Sequence, residues 1–108
     1  ARRGDSKRKG AVFLALGECF QAIKQYKLAL TNFESAVTET PERDVEERKL
    51  ALYRTGNLAA FMRNFDLAEK YLNELAGIDF GYKDVSALLD KLSRLREDGE
   101  SAGGDPLG

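Results

Sequence analysis

The sequence predicts an all-α fold of about five helices arranged as antiparallel helix-turn-helix repeats. Three observations carry this. Apolar residues recur at three- and four-residue steps through most of the chain, the period of amphipathic helices. No stretch reads as a strand. A set of bulky, small and turn residues in the first third returns later in the chain, with Gly17 and Gly56 as its fixed points, 56 − 17 = 39 residues apart. A chain of 108 residues makes one small domain, able to bury roughly two-thirds of its unfolded surface in a single core.

The stretch from Phe13 to Pro41 organises the rest. Its spaced residues are Phe13, Leu16, Gly17, Phe20, Tyr26, Ala29, Phe33, Ala36 and Pro41, an order that suits two antiparallel helices. The first helix is expected from about Ser6 to Ile23, with Val12, Phe13, Leu16, Cys19, Phe20 and Ile23 as its apolar set. A turn follows at Lys24 and Gln25. The second helix, about Tyr26 to Thr38, places Tyr26, Ala29, Leu30, Phe33, Ala36 and Val37 on one face. A glycine in a helix interior costs about 1 kcal/mol relative to alanine, so Gly17 is expected at a close approach of two backbones, facing the small Ala29. Thr40 and Pro41 read as an N-cap followed by proline at the first helical position, with Glu42 favourable in the first turn, so the third helix is expected to start there.

The second repeat keeps Leu52, Gly56, Phe65, Ala68 and Leu72. Its fourth helix, about Phe65 to Gly77, has Asn64 as expected cap. A fifth helix is expected from about Tyr82 to Arg96, with Tyr82, Val85, Leu88, Leu89, Leu92 and Leu95 as its stripe. No second helix follows it, so it reads as a cap over the last hairpin, and the Glu100 to Gly108 stretch behind it as an end.

This pattern resembles the tetratricopeptide repeat (TPR) family, whose unit is a pair of antiparallel helices of about 34 residues with this order of aromatic, Leu, Gly, aromatic, Ala, aromatic, Ala and Pro. Phe13 and Phe20 stand where the family has Trp and Tyr. In the second repeat Thr55, Ala59, Leu75 and Phe80 replace the family's Leu, aromatic, Ala and Pro, and Phe80 is expected to fill space where proline would only punctuate. The longer period is expected to appear as an added turn of the third helix through Arg43 to Lys49. Charge and glycine content set off a basic, partly helical arm (1–10) and an acidic Gly-rich tail (98–108) from the TPR-like domain (11–97) that the resemblance covers. Within the domain the repeats fall at about 10–43 and 44–81, followed by a capping helix at about 82–97.

Composition narrows the functions. With 43% hydrophobic and 32% charged residues and a net charge of −1, the chain is neither a nucleic-acid binder by overall charge nor disordered. No apolar run approaches the roughly 18 residues of a membrane span. The arm carries Arg2, Arg3, Lys7, Arg8 and Lys9 against Asp5, a net of 5 − 1 = +4. It has no aromatic on which a base could stack, so nucleic-acid contact through it is the least favoured reading. There is no histidine, which removes the commonest general base and nitrogen ligand. Cys19 lies among apolar residues and is read as a core thiol rather than a nucleophile. The run Glu42, Asp44, Glu46 and Glu47, interleaved with Arg43, Arg48 and Lys49, reads as exposed ion pairs. No catalytic activity, metal or cofactor is implied.

The resemblance implies an interaction module in which the first helix of each pair lines a concave groove. The candidate contacts are Leu14, Glu18 and Gln21, then Tyr53, Arg54, Asn57 and Phe61, then Lys91. Leu14 and Glu18 stand where the family's carboxylate-reading subset needs Lys and Asn, and only Asn57 follows that pattern. Tyr53, Asn57 and Phe61 are the favoured contacts, because exposed aromatics are costly without a use. The expected partner is a protein or peptide. The alternative is self-association: two repeats fall short of the three usually needed for a stable stack, so a second chain or upstream repeats would cover the first helix at Val12 and Leu14.

Overall fold

The computed structural model describes the backbone of residues 5–104 and the side chains of residues 9–97. Among them the chain forms five α-helices and no strand: α1 (Asp5–Ala22), α2 (Tyr26–Glu39), α3 (Val45–Phe61), α4 (Phe65–Ile78) and α5 (Val85–Gly104). Each helix packs chiefly on its neighbours in the chain, α1 on α2, α2 on α3, α3 on α4 and α4 on α5. This serial packing gives an elongated stack of 62 × 30 × 17 Å with a radius of gyration of 15.4 Å, against ~13 Å for a compact domain of this length. Residues 1–4 of the basic arm and 105–108 of the acidic tail lie outside the described residues, while α1 takes in the second half of the arm and α5 continues to Gly104.

The two hairpins repeat in register. α1 and α3 end 61 − 22 = 39 residues apart, and α2 and α4, each of 14 residues, begin 65 − 26 = 39 residues apart. Even the turns match. Lys24 and Arg63 both adopt left-handed backbone, with φ of 65° and 66°. After each, the chain folds back on the helix it leaves: Gln25 N–H donates to the Phe20 carbonyl at 2.8 Å, and Asn64 N–H to that of Ala59 at 2.8 Å. Lys24 and Arg63 N–H themselves donate to Gln21 and Ala60, completing a Schellman-type close that satisfies the last helical carbonyls. Residues other than glycine pay roughly 1 kcal/mol or more in this region, so Lys24→Gly is expected to raise stability by about 0.5 to 1 kcal/mol, read as a higher denaturant midpoint. A lower midpoint would mean that the lysine side chain makes a contact worth more than the backbone strain.

Helix contact inside each hairpin is set by glycine. A Cβ placed on Gly17 would lie 2.4 Å from the Phe33 ring, and one on Gly56 would lie 2.5 Å from Leu72 Cγ. The residue that fills the space above Gly17 is therefore the buried Phe33, not Ala29 as expected, although Ala29 is also fully buried. Around these seams lies one core, drawn from α2, α3, α4 and the start of α5, with Phe33, Leu52, Leu58, Leu72, Leu75 and Val85 its largest fully buried members. Phe13, Phe20, Tyr26, Phe65 and Leu89 are half-buried against it.

Several expectations are corrected. Leu16 is 41% exposed and Cys19 is exposed rather than a core thiol. Both lie on the side of α1 away from α2; from Gly10 on α1 is apolar nearly all round, and spacing alone could not say which side turns inward. Thr40 does not cap α3. It closes α2, its N–H and hydroxyl both donating to the Ala36 carbonyl, at 3.0 and 2.6 Å, and it is buried against Gly10. The hydroxyl committed there cannot cap another helix, so Pro41 stays in the connection and α3 begins after Asp44. α3 still takes in Val45 to Lys49 of the expected added turn and runs to 17 residues against 14 for α2 and α4, so the longer period is shared between that turn and the connection, with the helix starting two residues later than expected. Phe80 is 66% exposed and fills nothing. Tyr82 and Lys83 form a turn, Lys83 at φ 44°, which delays α5 to Val85. Asn64 caps α4 as expected, accepting from Leu67 N–H at 3.3 Å.

The basic residues before Gly56 are not simply surface charges. Arg48 donates to the Val37 and Thr40 carbonyls at 3.1 and 3.4 Å and pairs with Glu74 at 2.6 Å, tying α3 to the C-terminus of α2 and to α4. Lys49 is buried and pairs with Asp79 at 2.9 Å and with Glu46 at 3.1 Å. At the far end of the stack Arg96 of α5 bonds Glu69 at 2.8 Å and Asp66, both on α4.

Candidate partner-binding groove

The predicted contact residues fall into three neighbourhoods. Asn57, Phe61 and Lys91 come together in a recess of about 220 Å³ between α3 and α5, whose other walls include Ala60, Leu88 and Leu95. Phe61 ends α3 and is 65% exposed. The Tyr26 ring, at the start of α2, supports it from behind at 5.1 Å between centroids and 58° between planes. A rigid aromatic backed by a second ring and placed beside an apolar recess is the geometry of an anchor. Lys91, in the second turn of α5, is exposed and lines this recess.

Tyr53 is differently occupied. Its hydroxyl donates to Asp84 at 2.7 Å, its ring meets Tyr82 edge to face at 5.7 Å, and Lys83 sits over it at 5.7 Å. It pins the α4–α5 turn to α3, and is a support of the groove rather than a free contact. Arg54 and Glu18 form a bridge at 3.2 Å between α3 and α1, both partly exposed. Such a pair is worth little in stability, but each charge answers the other, so the attraction for acidic ligands expected of Arg54 is offset. Leu14 lies elsewhere, at a small recess of about 60 Å³ with Gly10, Thr40, Leu50 and Ala51. Gln21 is half-buried in the last turn of α1, where its carbonyl accepts from Lys24 N–H at 2.9 Å in the turn.

Sequence reading placed Leu88 and Leu95 in the core stripe of α5 and left Ala60 out; all three line the recess. It also missed Lys49. The signal was present: positions 49, 52 and 56 are one inward-facing stripe, and a base within an apolar stripe marks a buried pair.

The electrostatics of the scaffold are strongest on the alkaline side. Burial, reinforced by the carboxylate of Glu34 that accepts from its hydroxyl at 3.0 Å, pushes the Tyr71 phenol up to about 12. The bond to Asp84 raises Tyr53, burial raises Tyr82, and the bonds to Asp79 and Glu46 raise Lys49 above its ordinary 10.5. A group raised in the folded state contributes fully below its unfolded pKa and loses that contribution as pH climbs through the folded one. Stability is therefore expected to fall above pH 10, with Tyr71→Phe flattening part of the decline. In a near-ultraviolet titration of the four tyrosines, the parent should show one ionising near 12 that Tyr71→Phe lacks. Asp79 works in the opposite sense: Lys49 holds its carboxyl below 3.8, so its contribution is complete above that value and is lost as pH falls through the lowered pKa.

Among the described residues no helix is long and apolar enough to cross a membrane. Comparison with known proteins leaves the reading to this geometry, since no family model, no curated protein and no solved structure matches the chain.

Proposed function

We propose that this chain is a tetratricopeptide-repeat-like interaction module that holds a segment of another polypeptide in the recess between α3 and α5 and performs no catalysis itself. The observation that carries the reading is Phe61, a large apolar ring left 65% exposed at the rim of an apolar recess that also offers the Asn57 amide and the Lys91 ammonium. Apolar contact would supply affinity, the amide a hydrogen bond to peptide backbone, and the lysine a preference for an acidic neighbour. The two in-register hairpins and the glycine at each helix seam support the family assignment.

The test starts from peptides selected on the full chain from a random display library and titrated against it. Phe61→Ala is expected to weaken a selected peptide by roughly thirtyfold, as loss of a central aromatic anchor does, while the helical spectrum is kept and the thermal midpoint falls only by what the lost Tyr26 ring contact costs. Asn73→Ala, on the exposed side of α4, should leave binding intact. Equal losses for both variants, or selected peptides indifferent to Phe61→Ala, would move the site off this recess.

A further inference from the structure

α1 is apolar on both sides. Between Gly10 and Ile23 its one charged residue is Glu18, which is paired with Arg54. Gly17 turns toward α2, with Phe13 and Phe20 packed against the core. Ala11, Val12, Ala15, Leu16, Cys19, Ala22 and Ile23 are all exposed, Val12 at 50% and Ile23 at 64%. A helix apolar all round belongs in a buried setting.

The second hairpin displays that setting. Thirty-nine residues on, Val12, Leu16 and Cys19 correspond to Ala51, Thr55 and Leu58, each exposed by 1% or less. They continue the stripe of Arg48, which bonds the Val37 carbonyl, and so lie on the side of α3 that α2 covers. α2 and α4, the helices that cover such a face, are already engaged with α3 and α5. The outer face of α5 is polar, with Ser86, Asp90, Ser93, Arg94 and Glu97 exposed, so a second copy finds no apolar stripe there for head-to-tail stacking. What a second copy does offer is the same stripe. Positions 12, 16, 19 and 23 advance by four, three and four residues, a spacing that reads the same in both directions. Two α1 helices laid antiparallel about an axis between Leu16 and Cys19 set Val12 against Ile23 and Leu16 against Cys19 of the second copy. Ala15 and Ala22 beside the stripe allow close approach.

We propose that the chain self-associates as a two-fold dimer through this face of α1, in that antiparallel register and independently of the recess between α3 and α5. Four side chains on one helix make a narrow contact beside the ~800 Å² per partner of a standard stable complex, so association is expected as a concentration-dependent equilibrium. Val12 belongs to the interface; Leu14, on the side of α1 toward α3, does not.

Sedimentation velocity on the full chain from about 1 to about 200 µM tests this. The expected result is a shift from 12.0 kDa toward twice that mass. Leu16→Asp, on an exposed position, should hold the chain monomeric throughout with the parent's helical spectrum. The register is read separately: Leu16→Cys, with Cys19 kept, should oxidise to a reducible covalent dimer faster than the parent or Glu97→Cys. A parent that stays monomeric over the whole range, or a dimer that Leu16→Asp leaves intact, overturns the proposal. If the parent is monomeric and a tandem chain with a Cys19→Ser copy of residues 5–43 ahead of Asp5 shields the native Cys19 from thiol reagent, the face belongs to a preceding hairpin instead.

Discussion

Gly17→Leu is expected to lower the unfolding free energy by about 3 kcal/mol, the upper end of what overpacking a tight core costs. Losing a mid-helix glycine would by itself favour α1 by about 1 kcal/mol, and the prediction is that sterics outweigh this gain. The first added carbon already meets two atoms of the Phe33 ring, at 2.4 and 2.5 Å. Phe33 is fully buried, so the ring has no free volume to swing into, and α2 must move away from α1. That motion strains the α2–α3 seam, where Arg48 holds the Val37 carbonyl. Chemical denaturation provides the measurement. Phe33→Ala in the Gly17→Leu background should cost less than the sum of the two single changes, since it removes the ring atoms that the added carbon meets. A midpoint equal to that of the parent would refute the close seam.

Arg48→Ala is expected to cost about 2 to 3 kcal/mol, in the range for a largely buried, charge-assisted hydrogen-bond donor whose partners are left behind. The Arg48 side chain is only 18% exposed, and its guanidinium serves three groups at once: the Val37 and Thr40 carbonyls at the end of α2 and the Glu74 carboxylate of α4. Carbonyls at a helix C-terminus carry the negative end of its dipole and lack intrahelical donors, so the arginine supplies both charge and hydrogen bonds where α2 needs them. Arg48→Lys should restore little, because one ammonium cannot span the fork that bonds α2 and α4 together. If Arg48→Ala and Arg43→Ala, the latter exposed in the connection, lower the thermal midpoint equally, Arg48 acts only as surface charge and the stitching role is wrong.

Local patterning accounts for most of what sequence reading recovered. The 39-residue period, the hairpin partners and the inward face of α2 follow from spacings within a few turns of helix. On α2 the five residues Ala29, Leu30, Phe33, Ala36 and Val37 are the buried ones, as that spacing predicts. Asn64 was legible as a cap because capping is settled within three residues of chain. Likewise the juxtaposition of Asn57, Phe61 and Lys91 in one recess follows once the first helix of each hairpin and α5 are taken to share a side.

Tertiary structure decided whatever depended on which of two equally suitable partners a residue meets. An apolar helix such as α1 has two candidate inner faces, and only packing against α2 turned Leu16 and Cys19 outward. Thr40 could close one helix or open the next; burial beside Gly10 gave its hydroxyl to Ala36. Tyr53 had the spacing of a groove contact, but a carboxylate from the α4–α5 turn, thirty-one residues away in sequence, took its hydroxyl. Arg48 looks like a member of a surface charge run until Glu74 arrives from α4, and although the stripe of Lys49 marks it as inward, its partner Asp79 comes from the residue that follows α4. In each case the outcome rests on a contact between segments distant in the chain, and neither periodicity nor capping preference carries information about which distant group arrives.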